Sequence, residues 1–179
     1  MTKAISTKEK LLMSARALFW TRGYSNVSVR DVTAHAGVDP AMVSRHFDGK
    51  LGLFLASLEG ASDWPDMFDT AEPDVLGLVV EKFSDADRMA QADGMRMFIV
   101  NALDPEVGAL IKEGFEQDFG RRLAQKIGGD RALEKASKLM GVMFGSALFR
   151  DMLKVEPLAS MDTEAYQKYL RDLGEAALG

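Results

Sequence analysis

The chain has no cysteine, only two histidines and five prolines, and its aromatic share is 8%. Without cysteine there is no disulfide frame, no thiolate metal site and no cysteine nucleophile, which suits a reducing compartment. No apolar run approaches the roughly 20 residues of a membrane span. The opening residues, MTKAISTKEK, lack the apolar core of a secretory signal. A cytoplasmic protein with no membrane partner is therefore expected. Alternating Val/Ile/Thr stretches and Asn-Gly hairpin signals are missing as well, which argues against β structure.

What is present is enough apolar material for a core, 47% of 179 residues, and an uneven charge. The net charge is −5, yet residues 1–50 hold eight basic against four acidic side chains, a net +4. Residues 51–179 hold 14 basic against 23 acidic, a net −9. A basic head on an acidic body suggests an N-terminal module that faces a polyanion. A chance clump of solvated lysines explains the charge equally well.

Helical spacing dominates. Ser6 with Glu9 forms a capping box, and Leu11, Ala15, Leu18 and Phe19 follow on one face until Gly23 stops the helix. Ser28 and Asp31 repeat the arrangement, with Val29 and Val32 facing inward, and Gly37 breaks the chain. Asp39 then caps a third helix with Pro40 at its first position, where a missing N–H costs nothing. Asp48 is expected to cap a fourth. Residues 61–74 carry five carboxylates and two prolines without the spacing of a calcium loop, so they read as a solvated connector. Helical segments follow to the end of the chain, the last starting at Asp162 or Thr163.

The stretch from Ser28 to Phe47 meets the needs of a helix-turn-helix. Two short helices must cross at about 90–120° through a turn of three or four residues. Gly37 can take a positive φ, Thr33 lies four residues before it on the close-approach side, and Val43 lies six residues after it. The second helix would enter a major groove with Asp39, Ala41, Met42, Ser44, Arg45 and His46 outward. Arg45 suits guanine O6 and N7, and Ala41 or Met42 a thymine methyl. Ser28, Arg30, His46 and Lys50 suit phosphates. A helical hairpin whose polar face merely meets water would show the same pattern.

Residues 7–58 as a whole resemble the DNA-binding domain of the TetR family of bacterial transcriptional repressors. The likeness lies in ALF before RGY, then SVRDV, AGV and RHF, with Lys50 three residues after Phe47, all without a gap. Two positions depart from the family pattern. Thr33 stands for the customary Ala, and Ser44 for a Tyr that typically touches the DNA backbone.

The resemblance implies an all-α fold of about nine helices. A three-helix DNA-binding domain at 1–50 would precede a regulatory and dimerisation domain at 51–179. It also implies a homodimer, a double-stranded DNA operator and, in many members, a small effector. The stripe Ser137, Gly141 and Gly145 lets another helix come close, within the chain or across a dimer. The resemblance favours the dimer, joined by Tyr166, Tyr169, Leu170 and Leu173. Met89, Met97, Phe98, Met140, Met143 and Phe144 suit an apolar effector or an ordinary Met-rich core. Asn101, Arg96 and Gln117 are candidate polar anchors.

Neither a cofactor nor a metal is indicated. An enzyme would have to work with His35 or His46, which lie eleven residues apart on different helices, and no oxyanion loop accompanies Ser44. Two alternatives stay open beside a ligand-released repressor: a regulator that needs no ligand, and a protein-binding scaffold that has lost DNA.

Overall fold

The computed structural model describes residues 5–59, 68, 71, 73–85 and 93–179. Among these the structure is helical and contains no strand, as expected. The helices are α1 (Thr7–Arg22), α2 (Val29–Ala36), α3 (Ala41–Phe47), α4 (Lys50–Leu58), α5 (Val75–Ser84), α6 (Asp93–Asn101) and α7 (Gly108–Phe115). A π turn at Glu116–Gly120 precedes α8 (Arg121–Ile127). The chain then forms α9 (Ala132–Ala147), a second π turn at Leu148–Met152, a short 3₁₀ turn and α10 (Thr163–Leu178).

The chain divides into two compact units: residues 1–62 with 93–113, and residues 63–92 with 114–179. This packing cuts the sequence differently from a boundary after residue 50. Leu53 and Phe54 of α4 are fully buried in the core of the first unit. So are Val107 and, nearly so, Ala102 and Ile111. Most of the acidic segment 61–74 lies outside the described residues.

In the first unit, α1 packs against α2, α4 and α6. Its apolar face is the one that spacing predicts: Leu11, Ala15, Leu18 and Phe19 are buried. Both capping boxes form. Ser6 Oγ accepts from the Glu9 N–H at 3.2 Å, and the Ser6 N–H donates to Glu9 Oε2 at 2.7 Å. Phe19, Tyr24 and Phe54 make a ring cluster with centroids 5.1 to 5.7 Å apart.

The expectation for Asp48 was wrong. It sits just beyond α3 at φ 57°, in left-handed geometry, and α4 is entered through Gly49 without a side-chain cap. The reason is a tight approach: a Cβ on Gly52 would lie 1.7 Å from the Phe47 carbonyl oxygen. The chain must reverse sharply at 48–49 to bring α4 that close to the end of α3.

In the second unit, α9 packs against α8, α10 and α5. Phe68, Phe83, Phe115, Phe119 and Phe144 form a ring network with centroids 5.1 to 6.0 Å apart. Leu139, Met143, Tyr166 and Leu170 are fully buried. The Arg150 guanidinium is also buried and stacks 3.9 Å from the Tyr166 ring centroid. Gly52→Ala is expected to cost more than about 2 kcal/mol, because the added methyl meets backbone. Gly37→Ala should cost only about 1–2 kcal/mol, the strain of a left-handed residue in open space. Urea unfolding midpoints of the two variants check the order.

Candidate nucleic-acid interface

Local chemistry fixes the geometry of α2 and α3. The Ser28 hydroxyl accepts from the Asp31 N–H at 3.2 Å and donates to Asp31 Oδ2 at 2.6 Å. The Ser28 N–H donates to the same oxygen at 2.8 Å. The Ser28 hydroxyl, then its N–H, hold the Asp31 carboxyl below the usual carboxylate range. At the far end, Gly37 takes φ 66° and ψ 39°, the left-handed conformation the turn requires. The Gly37 and Val38 N–H groups bond the carbonyls of Ala34 and Thr33. Thr33 is buried, and its hydroxyl donates to the Arg30 carbonyl at 3.2 Å, so its extra bulk is absorbed without opening the turn.

The third helix starts one residue later than expected, at Ala41 with Pro40 at its N-cap and no side-chain cap; Asp39 Oδ1 accepts instead from the Ala41 N–H at 2.7 Å, in the turn that leads in. Val43 and Phe47 are buried and hold the helix to the core. Ala41, Ser44 and Arg45 are exposed at i, i+3 and i+4, on one outward face. Asp39 and His46 are exposed beside them, and Arg30 is exposed on α2. Arg45 makes no ion pair among the described residues.

Three of the expected contacts sit differently. Met42 is half-buried against the core of the first unit, unlike exposed Ala41 and Arg45. Lys50 is half-buried with its ammonium 4.0 Å from the Tyr24 ring centroid, so its charge already has a partner. The Ser28 hydroxyl is committed to its cap. Of the histidines, His35 Nδ1 lies 2.9 Å from Ser14 Oγ, a local hydrogen bond between α2 and α1. His46 is exposed, with its ring tilted against Phe47.

The expected effector residues fall in both units. Met89 lies outside the described residues. Met97 and Phe98 pack on the core of the first unit. Asn101 is fully buried there and not free to anchor a ligand. Its Oδ1 accepts from the Tyr24 N–H at 2.8 Å, and its Nδ2 donates to the Phe19 and Met97 carbonyls at 3.1 and 2.9 Å. Arg96 is exposed in the same unit. Met140, Met143 and Phe144 belong to the second unit, where Met143 is fully buried and the other two are half-buried; Gln117 is exposed there.

The expected dimer residues divide by face. Ser137 and Gly141 are exposed, and a Cβ at Gly141 or Gly145 would meet nothing within 4 Å. Gly145, Tyr169 and Leu173 line an open apolar hollow of about 320 Å³ with Val142, Ser146, Phe149 and Leu158. Tyr166 and Leu170 were misplaced by the sequence reading. They are fully buried in the core of their own unit, next to half-buried Tyr169 and Leu173 on the same helix: the Tyr166 ring stacks on that of Tyr169 at 6.0 Å and lies under Arg150.

Known proteins resemble this chain along most of its length. Residues 11–57 match the description "Bacterial regulatory proteins, tetR family". Residues 76–172 match "Tetracyclin repressor-like, C-terminal domain". The probable HTH-type transcriptional regulator YttP of Bacillus subtilis (strain 168) is 45% identical over 49 residues, 27% of this chain and 24% of that protein. The HTH-type transcriptional repressor Rv3405c of Mycobacterium tuberculosis (strain ATCC 25618 / H37Rv) is 26% identical over 149 residues, 80% of this chain and 73% of that protein. The crystal structure of the TetR-family regulator SCO0857 from Streptomyces coelicolor shares the fold, with a TM-score of 0.61 and 24% identity over 96% of this chain and 94% of that one.

Ser28→Ala is expected to lower stability by about 1 kcal/mol through loss of the cap. The Asp31 carboxyl is held below its unfolded value, so its contribution is present above about pH 4 and fades as pH falls through the folded value. The gap between wild type and Ser28→Ala should therefore narrow on acidification below about pH 4, read by thermal unfolding across pH.

Proposed function

The chain belongs to the TetR family of bacterial regulatory proteins and is a DNA-binding transcriptional regulator; from this premise we propose that it is a homodimeric repressor of a palindromic operator. The observation that carries the reading is the outward face of α3, with Ala41, Ser44 and Arg45 exposed and the helix fixed from behind by Val43 and Phe47. Arg45 reads a guanine edge as a bidentate donor, Ala41 meets a thymine methyl, and Asp39 and Ser44 border the same bases. Arg30 and His46 bind backbone phosphates, while the Ser28 and Asp31 N–H groups stay with the capping box. Lys50 exchanges its ring contact for a phosphate on binding, and half-buried Met42 supports the helix from its edge.

Homodimerisation is assigned to the exposed side of α9 and α10: Ser137, Gly141, Gly145, Tyr169 and Leu173, with the neighbouring Phe149. A twofold pair would set two α3 helices into successive major grooves about 34 Å apart. Regulation belongs to the second unit, where Met140, Met143 and Phe144 border the ring network. A small apolar effector is the ligand class that suits them, and it would release the operator by favouring a state with wrongly spaced α3 helices. DNA reading falls to residues 1–50 and regulation and dimerisation to segments of 51–179. The protein works in the cytoplasm, where its DNA is. Ser44 keeps one competing reading alive, a scaffold that binds protein and not DNA.

Arg45→Ala is expected to cost about 1–3 kcal/mol of operator affinity and to relax preference at one base pair, measured by fluorescence anisotropy on single-substitution duplexes. An equal loss on every duplex would make Arg45 a phosphate contact and remove the base-reading role. Ser44→Tyr, with reach restored toward a phosphate, should tighten binding by about 1 kcal/mol. Unchanged affinity would strip that departure of functional meaning, and no sequence preference in the wild type would favour the scaffold.

A further inference from the structure

The first unit contains a segment that its sequence position does not suggest. Residues 93–113 lie within the C-terminal family match at 76–172, yet they pack with residues 1–62. They pack along α1 and reach the turn that joins α1 to α2. Val100 lies against it: a Cβ on Gly23 would stand 3.2 Å from Val100 Cγ1. Ala102, Val107 and Ile111 enter the core beside Phe19, Tyr24 and Val27.

The polar part of this attachment is more specific. Past the end of α1, the Tyr24 and Ser25 N–H groups have no helical carbonyl to bond. Asn101 Oδ1 takes the first at 2.8 Å, and Asp104 Oδ2 takes the second at 2.9 Å. Both side chains are themselves held. The Asn101 amide donates to the Phe19 and Met97 carbonyls, and Asp104 Oδ1 accepts from the Glu106 and Val107 N–H groups at 2.9 and 3.2 Å. Burial pushes the Asp104 carboxyl up, but the bonds from Ser25, Glu106 and Val107 outweigh it and hold it below the usual range. Three residues after Ser25 comes Ser28, the cap of α2. The clamped amides therefore lie directly ahead of the helix-turn-helix.

We propose that Asn101 and Asp104 are positioning residues for DNA reading: by clamping the Tyr24–Ser25 backbone they fix where α2 begins, and through it the angle at which α3 meets the groove. The inference rests on the DNA-reading role of α3. Base readout demands placement within a fraction of an ångström, whereas sequence-independent binding needs only phosphates within reach of mobile cations. The clamp should thus matter for the operator and not for random DNA.

The test uses the full chain, the duplex that wild-type protein selects from a random pool, and a scrambled duplex of equal length. Asp104→Ala and Asn101→Ala are expected to weaken binding to the selected duplex about tenfold, the factor for one lost charge-assisted or buried hydrogen bond. Affinity for the scrambled duplex should stay within about twofold of wild type, since the phosphate contacts are untouched. Asn101 is fully buried, so the partly exposed Asp104 gives the variant that is safest to fold. Equal weakening on both duplexes would mean a general loss of folded protein and overturn the proposal. No change on either would overturn it too. Arg45→Ala, run alongside, separates the two readings: if it keeps full preference for the selected duplex, the role of α3 has failed and the clamp falls with it.

Discussion

The first unit depends on three rings. Phe19 from α1, Tyr24 from the following turn and Phe54 from α4 are all buried and meet within 5.7 Å. Aromatic contacts of this kind carry large buried area and a preferred geometry. Here they tie together two helices and the turn that launches α2. The recognition helix itself is seven residues long, far too short to hold its shape in water alone. Its order is borrowed. Val43 and Phe47 seat it on the ring cluster's core, the left-handed Gly37 sets its approach, and α4 presses on its end where Gly52 leaves room for the Phe47 carbonyl.

The second unit uses a different device. Arg150 is buried with no carboxylate partner among the described residues. Its guanidinium lies on the face of Tyr166, with long contacts to the Ser84 and Met161 carbonyls at 3.5 and 3.4 Å. Burial pushes the Tyr166 phenol up, with the Asp151 charge adding to it and Arg150 opposing. A cation over a ring face is worth more when water is excluded. The stack fixes which side of α10 turns inward. Tyr169 and Leu173, half-buried beside this stack, line the open hollow with Gly145 and Phe149.

Local signals carried the sequence reading furthest. Both capping boxes, the left-handed glycine and the buried face of α1 depend on residues within eight positions of one another. Spacing registers such patterns directly. Asn101 and Asp104 bond to backbone 77 and 79 residues away. No periodicity encodes that. The resemblance sets Tyr166 and Leu170 at an interface with Tyr169 and Leu173, and helical spacing does not say how much of such a face its own chain already covers. Lys50 was read as a free cation because sequence does not reveal a ring placed beneath it. For the methionines, composition says only that they suit an apolar environment; Met97 packs on the core of the first unit and Met143 in that of the second.

One measurement bears on the central claim more directly than any single variant, the recovery of DNA from a random pool by the purified full-length chain. The account predicts enrichment of an inverted repeat whose half-sites lie about one helical turn apart, with binding that falls steeply as salt rises. Recovery of no repeated motif, or of a single half-site bound without a symmetric partner, would contradict it.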